Sequence, residues 1–243
     1  MPERFYAKRD GLTIRGDIYP GPGKAVIISH GFLGDGRGCA EYAEALSDEG
    51  FLTVTFDFCG GGPNSTSDGR SEDMSVLTEV RDLAAVTDRV KELFPEKEIV
   101  LLGLSQGGFV SALTAAGRGD ISSLVLVYPA FCIPDDASRG DMLLFCFDPQ
   151  NVPEIIGEVP MRIGREYALS MQGFDWEGAI APYLGRVLLV HGTADDIVSI
   201  DYSRRAKKLY RDAVLIELPG ASHGFSGKDL AKALEDIKEF LRG

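Results

Sequence analysis

The residues best suited to do chemistry are Gly103-Leu104-Ser105-Gln106-Gly107-Gly108. They close the apolar run EIVLLGLS (98–105) and open the stretch QGGFVSALTAAG. G-x-S-x-G is a common pattern, but at a strand-to-helix junction it describes a sharp turn that projects the serine hydroxyl from the strand's end. The glycines at 103 and 107 relieve crowding around a strained Ser105, and a helix N-terminus beneath it favours developing negative charge. A serine hydroxyl is a weak nucleophile without a base. The chain offers three histidines, His30, His191 and His223. His223 lies in GASHGF (220–225), a glycine-bearing loop after the last apolar run, and is the expected base. His30 and His191 each end an apolar run before a glycine, so they are expected to position loops and to make hydrogen bonds.

A catalytic imidazole needs an acid to fix its tautomer and stabilise its protonated form. The loop His191-Gly192-Thr193-Ala194-Asp195-Asp196 offers two adjacent aspartates. A tetrahedral intermediate also needs two oriented N–H groups. One should come from Gln106, the residue after the serine. The other should come from the loop His30-Gly31-Phe32-Leu33-Gly34.

These residues need a frame. Six apolar runs, KAVIISH (24–30), FLTVTFDF (51–58), EIVLLGLS (98–105), ISSLVLVYP (121–129), RVLLVHG (186–192) and AVLIELP (213–219), are nearly continuous, as strands buried on both faces are. Helices are expected over 37–49, 74–94, 106–117, 201–210 and 228–241, with Gly50 and Pro95 as stops. FYAKRD and LTIRGDIYP flank Gly11 as an antiparallel hairpin. The alternation implies a mostly parallel, doubly wound α/β sheet. Residues 130–182 break it: they are too long for one crossover helix and hold five prolines, the apolar cluster MLLFCF (142–147) and the lone Trp176. They are expected to form a small inserted cap within a single domain spanning 1–243.

Composition narrows the partners. Acidic residues outnumber basic ones 37 to 25, a formal charge of −12 that repels phosphate backbones and anionic membranes. Nucleic acid and membrane are therefore not expected partners, and a homodimer is left open. The N-terminus lacks a signal-peptide pattern, which with four scattered cysteines (Cys39, Cys59, Cys132, Cys146) points to a cytoplasmic protein with reduced thiols. Reduced thiols are favoured over a Cys132–Cys146 disulfide. No Cys/His spacing suits zinc, so no metal or cofactor is expected. DFCGGGPNSTSDG (57–69) lacks the GK[ST] of a phosphate loop, Asp57 is not needed as a nucleophile, and DDASRGD (135–141) reads as a solvated loop.

The motifs SHGFLG, GLSQGG, HGTADDIV and GASHGF, together with YPAFCIPDD and FDPQNVPE, resemble those of bacterial cinnamoyl/feruloyl esterases of the α/β-hydrolase superfamily. The resemblance covers nearly the whole chain. It implies an α/β-hydrolase fold with the order Ser105, Asp195, His223, the pattern HG-x-x-D-x-x-V selecting Asp195 over Asp196. It points to the backbone of Phe32 as the second oxyanion donor. The cap would bind the ring hydroxyl of an aromatic acyl group through Asp136, or its neighbour Asp135, and Tyr167. The implied activity is hydrolysis of hydroxycinnamate esters, a small-molecule substrate, through an acyl-enzyme. The alternatives are a broad carboxylesterase, an amide-cleaving serine hydrolase, or a non-catalytic ligand-binding scaffold. The departure from the family lies at DFCGGG, where D-x-x-G-x-G-x-S is commoner.

Overall fold

The computed structural model describes residues 2–142 and 145–243. Leu143 and Leu144 of the apolar cluster lie outside the described residues. The frame is an eight-stranded sheet: β1 (Glu3–Arg9), β2 (Leu12–Tyr19), β3 (Ala25–Ser29), β4 (Leu52–Phe56), β5 (Ile99–Leu104), β6 (Ile121–Val127), β7 (Arg186–Gly192) and β8 (Asp212–Leu218). Its order is β1-β2-β4-β3-β5-β6-β7-β8. The β1–β2 hairpin and the β2–β4 pair are antiparallel, and every later neighbour is parallel. All residues of β3, β4 and β5 are buried, which is why their sequences show no polar alternation. Successive side chains serve opposite cores. Ile27, Leu101 and Leu126 join one with Phe109 and Leu83, while Ile28, Leu102 and Val125 join the other with Leu46 and Ile237.

Helices cover both faces: α1 (Ala40–Ser47) and α8 (Gly227–Arg242) on one, α2 (Val76–Leu93) and α3 (Gln106–Ala116) on the other. The expected helix over 37–49 divides into a 3-10 turn, Gly36–Cys39, followed by α1. Gly50, at φ 96°, lies just beyond its end. A capping box starts α2: the Ser75 hydroxyl accepts from the Thr78 amide at 3.2 Å and the Thr78 hydroxyl accepts from the Ser75 amide at 2.8 Å.

Helix α2 is tied to the antiparallel edge by a buried ion pair. Arg9 Nε donates to Asp82 Oδ1 at 2.7 Å, and the Cys59 amide donates to Oδ2 at 2.9 Å. Removing one partner of such a pair strands the other charge. Asp82→Ala is therefore expected to lower unfolding stability by about 3–5 kcal/mol, readable as a reduced midpoint in urea unfolding.

Between β6 and β7 the chain leaves the sheet. It forms α4 (Ile133–Arg139), two short antiparallel pairs (Asp141–Met142 with Phe145–Cys146, and Ile155–Ile156 with Ile163–Gly164), α5 (Arg165–Leu169) and α6 (Trp176–Ile180). Trp176 anchors this segment, stacked on Phe131 with ring centres 4.8 Å apart. The strand–helix alternation resumes with α7 (Ile200–Leu209), after β7. All four cysteines are free thiols, with Cys132 buried and Cys146 exposed. Among the described residues no helix is long and apolar enough to cross a membrane, and no group of three His, Cys, Asp or Glu side chains is arranged to hold a metal ion.

Candidate active site

Ser105 links β5 to α3 at φ 52° and ψ −118°. A non-glycine residue held in so rare a conformation persists only where its surroundings enforce it. Here the Ser105 amide donates to the Val127 carbonyl at 3.0 Å, and its own carbonyl accepts from Gly108 and Ala130, each at 2.9 Å. Two glycines permit the turn. A Cβ at Gly103 would lie 2.2 Å from the Gly107 carbonyl oxygen, and one at Gly107 would lie 2.4 Å from the oxygens of Ser29 and His30.

The turn brings Ser105 to His223 from the loop after β8. Ser105 Oγ lies 3.0 Å from His223 Nε2, and His223 Nδ1 lies 2.7 Å from Asp195 Oδ2. Tyr128, at φ 39°, backs the imidazole with ring centres 4.6 Å apart. Asp196 is exposed at the rim of the neighbouring cavity, while the Asp195 side chain is fully buried. Asp195 accepts four hydrogen bonds. Oδ1 takes the amides of Ile197 (3.0 Å) and Val198 (2.8 Å), and Oδ2 takes His223 and His191 Nε2, the latter at 3.1 Å. Burial disfavours its charge, but the bonds from His191, His223 and Val198 outweigh that and hold the carboxyl well below the usual carboxylate range.

His191 makes the hydrogen bonds expected of it, one of them to the Asp195 carboxylate. Its Nε2 faces two acceptors, Asp195 Oδ2 and the Val198 carbonyl at 3.0 Å, so Nε2 carries the proton. Nδ1 then accepts from the Ser203 hydroxyl at 2.7 Å. Sequence reasoning missed Ser203. Its signal was helical spacing, since Ile200, Ser203 and Ala206 form the buried face of α7.

The loop after β3 closes over the serine. Gly31 eases that approach, because a Cβ there would sit only 3.0 Å from that of Ser105. His30 holds this loop: Nδ1 donates to the Gly31 carbonyl at 2.8 Å, and Nε2 accepts from the Phe58 amide at 3.1 Å. Burial lowers the His30 pKa, so the ring is neutral. Asp57 latches the same region, accepting from the Gly36 amide at 2.7 Å and from the Thr66 amide and hydroxyl at 2.6 and 2.7 Å. Phe32 rides on this loop, and Gln106 begins α3.

A cavity of about 280 Å³ opens beside Ser105. Phe32, Ile133, Met142, Phe145 and Ile163 form its apolar wall, and Asp136, Arg139 and Asp141 add charge. Asp136 is half-buried, ion-paired with Arg139, and its pKa is raised by burial. Asp135 instead accepts from the Tyr202 hydroxyl at 2.6 Å and does not line the cavity. The Tyr167 ring faces the cavity, but its hydroxyl donates to Gln106 Oε1. That engagement of the Gln106 side chain was invisible in sequence, where Gln106 entered only through its amide.

A serine at a strand-to-helix turn, an aspartate after β7 and a last-loop histidine on this strand order match the arrangement of serine-type α/β hydrolases. A family model described as serine aminopeptidase, S33, matches residues 20–148, and the chain belongs to that family of α/β hydrolases. Est1E from Butyrivibrio proteoclasticus, solved with ferulic acid bound, is 30% identical with a TM-score of 0.90, over 98% of each chain. The resemblance to bacterial feruloyl esterases of this superfamily thus extends through the inserted segment. Monoglyceride lipase from Rattus norvegicus is 32% identical over 127 residues, half of this chain and 40% of its own length. Polyketide transferase grgF from Penicillium sp is 28% identical over 158 residues, 63% of this chain and 53% of its own. The chain thus covers about half the length of these curated relatives or less.

Proposed function

We propose that the protein hydrolyses carboxylic esters, with hydroxycinnamate esters as its acyl class. The observation that carries this reading is the hydrogen-bonded line Ser105–His223–Asp195 at the mouth of an aromatic-walled cavity. Asp195 holds His223 with its proton on Nδ1, so Nε2 is free to accept the Ser105 proton as Oγ attacks the ester carbonyl. The oxyanion forms against the amides of Phe32 and Gln106. His223 then protonates the leaving alcohol, giving a Ser105 acyl-enzyme. Water, deprotonated by His223, attacks that ester, and the carboxylic acid leaves as Ser105 recovers its proton. No step calls on a metal or cofactor.

The inserted segment serves as the cap over the acyl group. Phe32, Phe145 and Tyr167 flank an aromatic ring, an arrangement supported by the T-shaped Phe32–Phe145 contact at 6.0 Å and the tilted Phe32–Tyr167 contact at 5.7 Å. Asp136, on the cavity wall, accepts the ring hydroxyl. The ferulic acid bound to Est1E supports this acyl class. Asp136→Ala is expected to lower kcat/KM for a feruloyl ester about 10- to 100-fold, in the range of one lost charged hydrogen bond. The same change should alter an unsubstituted cinnamoyl ester little. A panel of kcat/KM values on feruloyl, cinnamoyl and butanoyl esters and a matched amide tests the assignment. Equal rates on feruloyl and butanoyl esters would give a broad carboxylesterase instead, a reading the lipase relative favours. A fluorophosphonate probe should form its adduct at Ser105; none forming would leave only a ligand-binding scaffold.

A further inference from the structure

One buried acid takes no part in this mechanism. Glu79, on the first turn of α2, is 1% exposed. Its Oε2 accepts from Gln106 Nε2 at 2.7 Å, and among the described residues it has no cationic partner. Burial pushes its carboxyl well above the usual range, with the Gln106 bond opposing and nearby Asp82 adding to the shift. The loop DFCGGG lies directly over it: a Cβ at Gly61 would come 3.2 Å from Glu79 Oε1.

The other end of the same amide is also taken. Gln106 Oε1 accepts from the Tyr167 hydroxyl. Gln106 is 1% exposed and Tyr167 3%, so water does not compete for either bond. The Gln106 side chain is therefore clamped between α2 and α5, two elements far apart in sequence. The Tyr167 ring also tilts against Phe32, with ring centres 5.7 Å apart. A single tyrosine of the inserted segment thus touches both residues whose amides form the oxyanion site under the proposed function.

We infer that Glu79 and Tyr167 are positioning residues for the oxyanion site, acting through the side chain of Gln106 and, for Tyr167, also through Phe32. Gln106 is the first residue of α3. Clamping its side chain fixes the peptide whose N–H must meet the oxyanion, and Tyr167 makes that alignment depend on how the cap is seated. The inference rests on the oxyanion role assigned to Gln106 and Phe32. It departs from a direct substrate contact by the Tyr167 hydroxyl, which is already committed to Gln106.

The two roles separate by acyl group. An oxyanion defect slows every ester alike, whereas a lost acyl contact slows only the acyl group that used it. Tyr167→Phe and Glu79→Leu are each expected to lower kcat about 10- to 100-fold, less than outright loss of an oxyanion donor. The factor should be the same on p-nitrophenyl acetate and on a feruloyl ester, with KM nearly unchanged. Glu79→Gln, of the same shape and with an amide oxygen to accept from Gln106 Nε2, should restore kcat to within about threefold of the parent. Gln106→Leu keeps its amide but loses the clamp, and Tyr167→Phe keeps the ring against Phe32, so Tyr167→Phe/Gln106→Leu should stay within about threefold of Gln106→Leu alone.

Melting curves and the extent of fluorophosphonate labelling establish that each variant is folded, and Glu79→Gln with Tyr167→Phe carry the test if Glu79→Leu is not. A rise in KM confined to the feruloyl ester after Tyr167→Phe overturns the inference while leaving the triad reading intact. So does a Glu79→Gln variant with kcat lowered tenfold or more, or full additivity of the double variant. A parent protein inert to both esters and to the probe removes the proposed function, and this inference with it.

Discussion

Ser105→Ala is expected to lower kcat on any accepted ester by about 10⁶-fold, the scale seen when a triad serine is removed and only binding and the oxyanion site remain. The reason is local. Ser105 Oγ is the atom within hydrogen-bond reach of His223 Nε2, at 3.0 Å, and it borders the cavity. Alanine has no atom to attack with. The turn itself should survive, because backbone partners hold it: the Val127 carbonyl and the amides of Gly108 and Ala130. Substrate binding and the unfolding midpoint should therefore change little. Measured turnover within tenfold of the parent, after excluding contaminating esterase, would remove Ser105 from the mechanism.

Asp195→Asn should cost about 10⁴-fold in kcat near neutral pH, the size expected from the wrong imidazole tautomer. Two backbone amides, from Ile197 and Val198, converge on Oδ1, so an asparagine must keep its carbonyl oxygen there. Its amide nitrogen then replaces Oδ2 and meets both His223 Nδ1 and His191 Nε2. It donates to Nδ1 and drives the His223 proton to Nε2, where it faces Ser105 and cannot accept. His191 meets a donor where it had an acceptor. Nuclear magnetic resonance of the ring nitrogens would report the exchanged tautomer directly.

The same substitution has a pH signature in stability. Asp195 titrates below its unfolded value of about 3.9, so its charge stabilises the fold above that pH, and the benefit is lost as pH falls toward the lower folded value. The stability gap between the parent and Asp195→Asn should be widest near neutrality and narrow below about pH 4. A gap that is flat from pH 7 to pH 3 would mean the carboxylate is not held as its four hydrogen bonds indicate.

Much of this molecule was legible in its residues. The strands of the parallel sheet fall within a few positions of their apolar runs, because a strand buried on both faces needs an unbroken apolar sequence; the exception is β8, an edge strand that is only partly buried although its run was expected to be buried on both faces. The serine turn was legible because Gly103 and Gly107 are sterically compelled by backbone approaches near 2 Å. The inserted segment was legible only as an interruption. Its two-residue strands and its helices of five to seven residues are too short to impose a period on the sequence.

The contacts that give residues their partners escaped a reading along the chain. Resemblance alone selected Asp195 over Asp196; the physical reason is that the β7 turn directs Asp195 inward against His223. Tyr202 draws Asp135 away, leaving Asp136 on the cavity wall. Glu79, Gln106 and Tyr167 are separated by 27 and 61 residues, and nothing local marks them as one cluster. By itself the sequence determined the elements and the serine turn, because these depend on local sterics and on burial periodicity. Only the tertiary structure decided which side chains share a hydrogen bond, because that depends on where distant elements bring their faces together.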